Sequence, residues 1–216
     1  MLTIVATRVL FMVGLILAIY VIARAFMNRA FRNFGESRLA LAKADALANT
    51  ARRRDVENIF YYTANLNELP FETTATEEIV KLQNRVKLRA AAPMIHFHQK
   101  FTNIELKTAY GAANLEMIAL NEENYNKYIY ALLKWAEHLL ENGSDIQKKN
   151  AYFILERCVD LGSEHKKTYA LLADKYAEKA DKIALDNLLE KVSATFSDDT
   201  IRQNLANYIT DKRGSL

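Results

Sequence analysis

The sequence predicts an all-α protein with one membrane-spanning helix at its N-terminus. Three observations carry this. Six Gly and two Pro in 216 residues are few chain breakers, set among abundant Ala, Leu, Lys and Glu. Apolar residues recur at helical spacing through most of the chain, and no alternating strand pattern of useful length occurs. Residues 9–23, by contrast, are apolar on every face.

The N-terminal element comes first. Val9 to Ala23 is fifteen residues without a charge, and the run extends back to Leu2 with only Thr3, Thr7 and Arg8 interrupting it. About twenty residues at about 1.5 Å each cover a hydrocarbon core about 30 Å thick. Residues 1–27 are therefore expected to form a transmembrane signal-anchor, with Arg8 snorkelling at one end and Arg24, Arg29 and Arg32 at the other. Ala23-Arg24-Ala25 also mimics a signal-peptide cleavage site, but the arginines that follow resist translocation. The excess of positive charge after the helix predicts a single-pass protein with its C-terminal domain in the cytoplasm.

Residues 28–69 read as a basic helical stalk. Ala40, Ala44 and Ala48 form a smooth ridge where a second helix could approach, and Arg52, Arg53 and Arg54 form a basic cluster suited to an anionic lipid surface. Residues 1–54 hold nine Arg/Lys against Glu36 and Asp45, a net of +7 that leaves −4 for the remainder. That asymmetry suits a membrane surface better than nucleic acid, so no nucleic-acid partner is expected. From Asp55 the spacing of Val56, Ile59, Phe60 and Thr63 continues as an amphipathic helix.

Residues 70–121 read as a helical subdomain. Pro70 stops the preceding helix, and Thr74 with Glu77 has capping-box spacing for the next. Ile79, Leu82, Val86 and Ala90 mark that helix up to Pro93. Another helix is expected from Pro93, with Met94, Phe97, Phe101 and Ile104 inward and Gly111 interrupting it. Tyr125, Tyr128, Ile129 and Leu132 then make a strongly amphipathic helix, and Ile201, Leu205 and Tyr208 mark a terminal one.

Residues 122–216 hold a repeat. Laying 132–165 over 166–199 gives a gapless period of 34, with Trp135 on Tyr169, Ala136 on Ala170 and Leu155 on Leu189. Tyr169-x2-Leu172-Ala173-x2-Tyr176 and Ala151-x3-Leu155-x2-Cys158 resemble the first and second helices of tetratricopeptide-type repeats. The run Leu155–Tyr176 is similar to the related Sel1-type repeats. The chain departs from the pattern at His138-Leu139, Asn142, Ala180 and Leu185, and no Pro closes either repeat. The resemblance implies antiparallel helix hairpins that stack, with the first helix of each lining a surface that binds an extended peptide or a partner's helix. By position, it places Lys167, Asp174 and Glu178 on that surface as candidate partner-binding residues.

Catalytic and metal chemistry is not signalled. His96 and His98 lie about 200° apart on a helix and cannot share a metal there, while His138 and His165 stand alone. Cys158 occupies a small-residue repeat position and reads as core, and a single Cys excludes an internal disulfide. No phosphate loop, nucleophile elbow or paired-carboxylate motif is present. Asn142-Gly143-Ser144 is formally a glycosylation sequon, yet it reads equally as a helix end followed by a cap. No cofactor and no enzymatic activity are expected. The sequence-level reading is a membrane-anchored scaffold that recruits a protein or peptide through helical repeats. The alternatives are an exported, anchored binding domain and a structural subunit of a membrane homo-oligomer.

Overall fold

The computed structural model describes Arg24 and residues 37–52, 56, 61–73, 75–97 and 99–215. They divide between two compact units, Met1–Val56 with Lys100–Leu115, and Glu57–Gln99 with Glu116–Leu216.

In the first unit residues 37–49 are helical (α1), and a second helix spans Asn103–Tyr110 (α3). Thr102 and Glu105 form a reciprocal capping box at the start of α3, and Gly111 ends it at φ 88°, a conformation that L side chains rarely adopt. Asp45 of α1 receives Lys107 of α3 at 2.7 Å. Within the alanine ridge Ala48 is buried, Ala44 half-buried and Ala40 exposed.

The second unit holds α2 (Glu77–Ala90), α4 (Leu115–Asn142, from Glu116 onward), α5 (Asp145–Asp160), α6 (Lys166–Glu178), α7 (Lys182–Thr195) and α8 (Asp199–Gly214). Tyr61–Tyr62 (β1) pairs antiparallel with Met94–Ile95 (β2). Local chemistry sets the helix boundaries. Ser144 and Gln147 make a capping box for α5, and Asp181 and Asp198 cap α7 and α8 by accepting from Ala184 and Ile201 N–H groups. The turns after α5 and α6 close alike: Ser163 N–H donates to Cys158 C=O and Asp181 N–H to Tyr176 C=O, each at 2.9 Å. This six-to-one closure needs a left-handed residue, supplied by Gly162 at φ 70° and by Ala180 at φ 53°.

One core runs through this unit. Trp135, Leu132 and Leu139 of α4, Ile154, Leu155 and Cys158 of α5, Tyr169 and Leu172 of α6, Leu185 and Val192 of α7 and Ile209 of α8 are at most 1% exposed. α6 packs on α5, α7 and α8, and α7 packs on α8. The thiol of Cys158 donates to Ile129 C=O, and burial pushes its pKa far up, so it is a core atom and not a nucleophile.

Several expectations are corrected. Among the described residues no helix is long and apolar enough to cross a membrane. A span needs about twenty consecutive apolar residues. Even α4, at 28 residues, alternates a buried stripe with Glu116, Glu122, Glu123, Lys127 and Glu141. The fold class is therefore an all-α helical domain with no membrane-spanning helix among its described elements. The membrane anchor, the lipid partner and the single-pass, cytoplasm-facing placement are not carried further. Of the residues assigned to a membrane interface, Arg8, Arg29, Arg32, Arg53 and Arg54 lie outside the described residues, as does the rest of 1–27 apart from Arg24. Arg24 is helical and exposed, and Arg52 is exposed beyond the end of α1.

The stalk helix also ends early. Helical backbone of α1 stops at residue 49, and residues 61–72 are irregular after β1, with a 3-10 turn at Leu66–Glu68 and a tight turn in which Phe71 N–H donates to Leu69 C=O at 2.8 Å. The cap of α2 is Thr76, accepting from Ile79 N–H, and not Thr74. No helix begins at Pro93, because Met94 and Ile95 pair with β1 instead.

Candidate functional site: two related grooves

The segment 61–72 organises the geometry of the second unit. It lies along α4 between α2 and α5, and named contacts fix it along its length. Tyr62 packs edge-on against Tyr125 at 5.0 Å between ring centroids and lies 6.2 Å from Tyr128. Glu68 pairs with Arg157 of α5, and Leu69 is 7% exposed. Phe71 stacks on Trp135 at 5.1 Å and 13° between planes, with the Lys87 ammonium 4.8 Å from the Phe71 ring centroid. Gln83 of α2, with its amide turned to satisfy both partners, donates to Glu72 C=O at 3.2 Å and accepts from Glu72 N–H at 2.9 Å. Gln147 of α5 donates to the Glu72 carboxylate at 2.8 Å. The chain thus lays a turn-containing, non-α-helical segment of its own in a groove whose walls are α2 and α5 and whose floor is α4. The walls present Lys87 and Arg157, and the occupant presents Glu68 and Glu72.

The same arrangement recurs one hairpin later. α5 and α7 are the walls and α6 is the floor of a second groove of about 310 Å³, lined by Glu156, Val159, Asp160, Leu172, Tyr176, Ala184, Asn187, Leu188 and Lys191. Lys191 of the α7 wall stands 34 residues after Arg157 of the α5 wall. The volume sits at the lower end of the about 300–1,000 Å³ of small-ligand sites.

The polar groups of the open groove are arranged on its rim. Glu156 accepts from Lys175 Nζ at 2.8 Å and from Tyr176 OH at 3.2 Å. Burial pushes the Tyr176 hydroxyl up, and the Glu156 carboxylate beside it adds to the effect, so it stays a neutral donor. Asp160 and Lys191 face each other across the groove at 3.2 Å with side chains 56% and 51% exposed. Such a surface pair contributes about 0–1 kcal/mol, so opening it for a ligand is cheap.

The residues singled out in sequence lie on another face. Lys167 and Asp174 are on the side of α6 turned toward α4 and α8. Lys167 pairs with Glu137 of α4 at 3.0 Å, and Lys134 reaches the same carboxylate at 2.7 Å. Burial works to raise the Glu137 pKa, but the hydrogen bonds and charges of Lys134 and Lys167 outweigh it and hold the group below the usual carboxylate range. Asp174 accepts from Tyr208 OH at 2.7 Å and pairs with Lys212 at 2.6 Å. Its pKa is likewise lowered, with burial opposing and Lys212 and Tyr208 prevailing. These two candidates tie α6 to its neighbours, while Glu178 is exposed. His165, at the N-terminus of α6, packs 5.2 Å from Tyr130.

The groove residues Asp160, Asn187 and Lys191 were not singled out from sequence. The 34-residue offset from Arg157 to Lys191 was the available signal. The first unit has a wider hollow of about 490 Å³ lined by Arg38, Leu41, Asp45, Thr102 and Ile104 among others, where Asp45 is engaged by Lys107. Among the described residues no group of His, Cys, Asp and Glu is placed to hold a metal ion. Comparison with known proteins leaves the reading to this geometry: no family model matches the chain, and no curated protein or solved structure matches it.

Proposed function

We propose that the chain is a non-catalytic protein-interaction module that holds an extended polypeptide segment of a partner in the groove between α5 and α7. One observation carries the reading: the sibling groove between α2 and α5 is filled by a non-α-helical segment, residues 61–72, held by aromatic stacking, an ion pair and hydrogen bonds from the Gln83 side chain to the Glu72 backbone. A groove of the same construction one hairpin later stands open, with an apolar floor and a polar rim. On this reading the α4–α5 and α6–α7 hairpins are tetratricopeptide-type repeats, and the peptide lies between their second helices.

The test places a photo-crosslinking amino acid at exposed Asn187 in the full chain, irradiated in the cells that naturally produce it. Adducts to a distinct polypeptide from Asn187, and none from Tyr130 on the opposite face, are the expected outcome. Adducts from Tyr130 alone, or from neither position, overturn the reading.

A further inference from the structure

Resting on that peptide-binding reading, we infer that the groove between α5 and α7 selects a partner segment by one large apolar side chain, lodged between Phe153 and Ile183. The charge of the segment does not enter the selection. The two grooves settle their charges differently. In the filled groove Arg157 of the α5 wall takes its carboxylate, Glu68, from the occupant. In the open groove each charged lining residue already has its partner on a neighbouring helix. Glu156 is engaged by Lys175 and Tyr176 of α6, and Asp160 of α5 by Lys191 of α7. Lys191 is thus matched from the opposite wall, where Arg157 is matched by a ligand. A charged group entering here would displace one of these partners and leave a like charge beside itself, so neither sign is favoured.

What the groove leaves unsatisfied is apolar. Phe153 on the α5 wall is 46% exposed and Ile183 on the α7 wall 75% exposed. α5 and α7 each pack antiparallel to α6 across a short turn, so the two walls run the same way. Counted back from the Asp160–Lys191 pair, Phe153 and Ile183 stand seven and eight residues away, two turns on either wall. They therefore flank one end of the groove, and the paired charges hold the other. Ile183 directly precedes Ala184, and with Val159, Leu172 and Leu188 that residue continues the apolar lining between the two ends. Two large apolar side chains facing water beside such a lining mark a contact surface rather than scattered exposure. The sibling groove shows what this construction grips, since its occupant seats Leu69, 7% exposed, and stacks Phe71 on Trp135.

A degenerate octapeptide library retained on the immobilised full chain tests this. The wild-type chain is expected to enrich Phe, Trp, Leu, Ile or Met at one position and no charged residue at any. Retention should change by less than about twofold between about 50 and about 500 mM salt, because apolar burial is not screened. Phe153→Ser combined with Ile183→Ser, both at exposed positions, should cut retention roughly tenfold with circular dichroism unchanged. Asp160→Asn combined with Lys191→Gln removes the rim pair and should leave the same residues enriched, with retention within about twofold. Asn187→Trp, at an exposed position, should block all retention. Enrichment of a charged residue, or retention indifferent to the Phe153 and Ile183 changes, that Asn187→Trp still removes overturns the apolar-anchor inference and leaves the groove reading standing. No retention at all, or retention that survives Asn187→Trp, overturns both.

Discussion

Replacing Phe71 by Ala removes the central anchor of the intramolecular strand. Full burial of a phenylalanine side chain is worth about 3–5 kcal/mol against alanine, and Phe71 is half-buried, so about half of that applies. Its stack on Trp135 adds about 0.5–1.5 kcal/mol and the Lys87 contact about 0.5–1 kcal/mol, partly overlapping with the burial term. The expected loss is about 2–4 kcal/mol in urea unfolding followed by circular dichroism. Trp135 is the chain's single tryptophan and is 0% exposed, so its fluorescence reports on the same contact directly. Its emission should shift to the red and become quenchable by acrylamide, with native helix content retained. Leu88→Ala, at a position 70% exposed, should change stability by less than about 0.5 kcal/mol. A Phe71→Ala protein with unshifted emission and a loss under about 0.5 kcal/mol would refute the assignment of residues 61–72 to the groove over α4.

Three further substitutions probe the hairpins. Ala180→Gly should stabilise the chain by about 0.5–1 kcal/mol in thermal or urea melts, because Ala180 sits at φ 53° and the left-handed strain exceeds the entropy cost of glycine. Gly143→Ala should destabilise by about 1–3 kcal/mol, since a Cβ there would meet Leu139 C=O at 2.3 Å and Gln147 Cβ at 2.8 Å. Glu137 has a folded pKa below its unfolded value, so its contribution is fully present above the unfolded value of about 4.3 and is lost as pH falls through the folded pKa. Glu137→Gln should therefore cost stability near neutral pH and flatten the acid limb of the stability profile below about pH 4.3; an unchanged acid limb counts against the Lys134–Glu137–Lys167 cluster.

Helices α4 to α8 were legible because each carries its own instructions. A buried stripe at helical spacing coincides with local caps such as Ser144 with Gln147, and with turn residues such as Gly162. The position where the repeat pattern favours Gly is where Ala180 takes a left-handed conformation. The course of segment 61–72 was illegible because its local bonds make only short turns, at Asn65–Glu68 and Leu69–Phe71, while the contacts that seat it come from afar. Gln83 and Gln147 hold Glu72, and its stacking partner Trp135 lies more than sixty residues away. Spacing alone reads Val56 and Thr63 as a helix face, whereas tertiary partners decide the backbone nearby. The partners of the charges on α6 were not legible for a related reason. Lys167 and Asp174 look like a free face in sequence, yet they pair with Glu137 and with Tyr208, 30 and 34 residues away, across neighbouring helices.

The most direct test of the central claim is amide chemical-shift mapping of the isotope-labelled full chain with a synthetic peptide of the partner segment crosslinked at Asn187. The account predicts perturbations confined to Val159, Asp160, Leu172, Tyr176, Ala184, Asn187 and Lys191, with residues 61–72 unmoved. Perturbations centred on Lys134, Lys167, Asp174 and Lys212, or release of 61–72 from Trp135, would place binding elsewhere and contradict it.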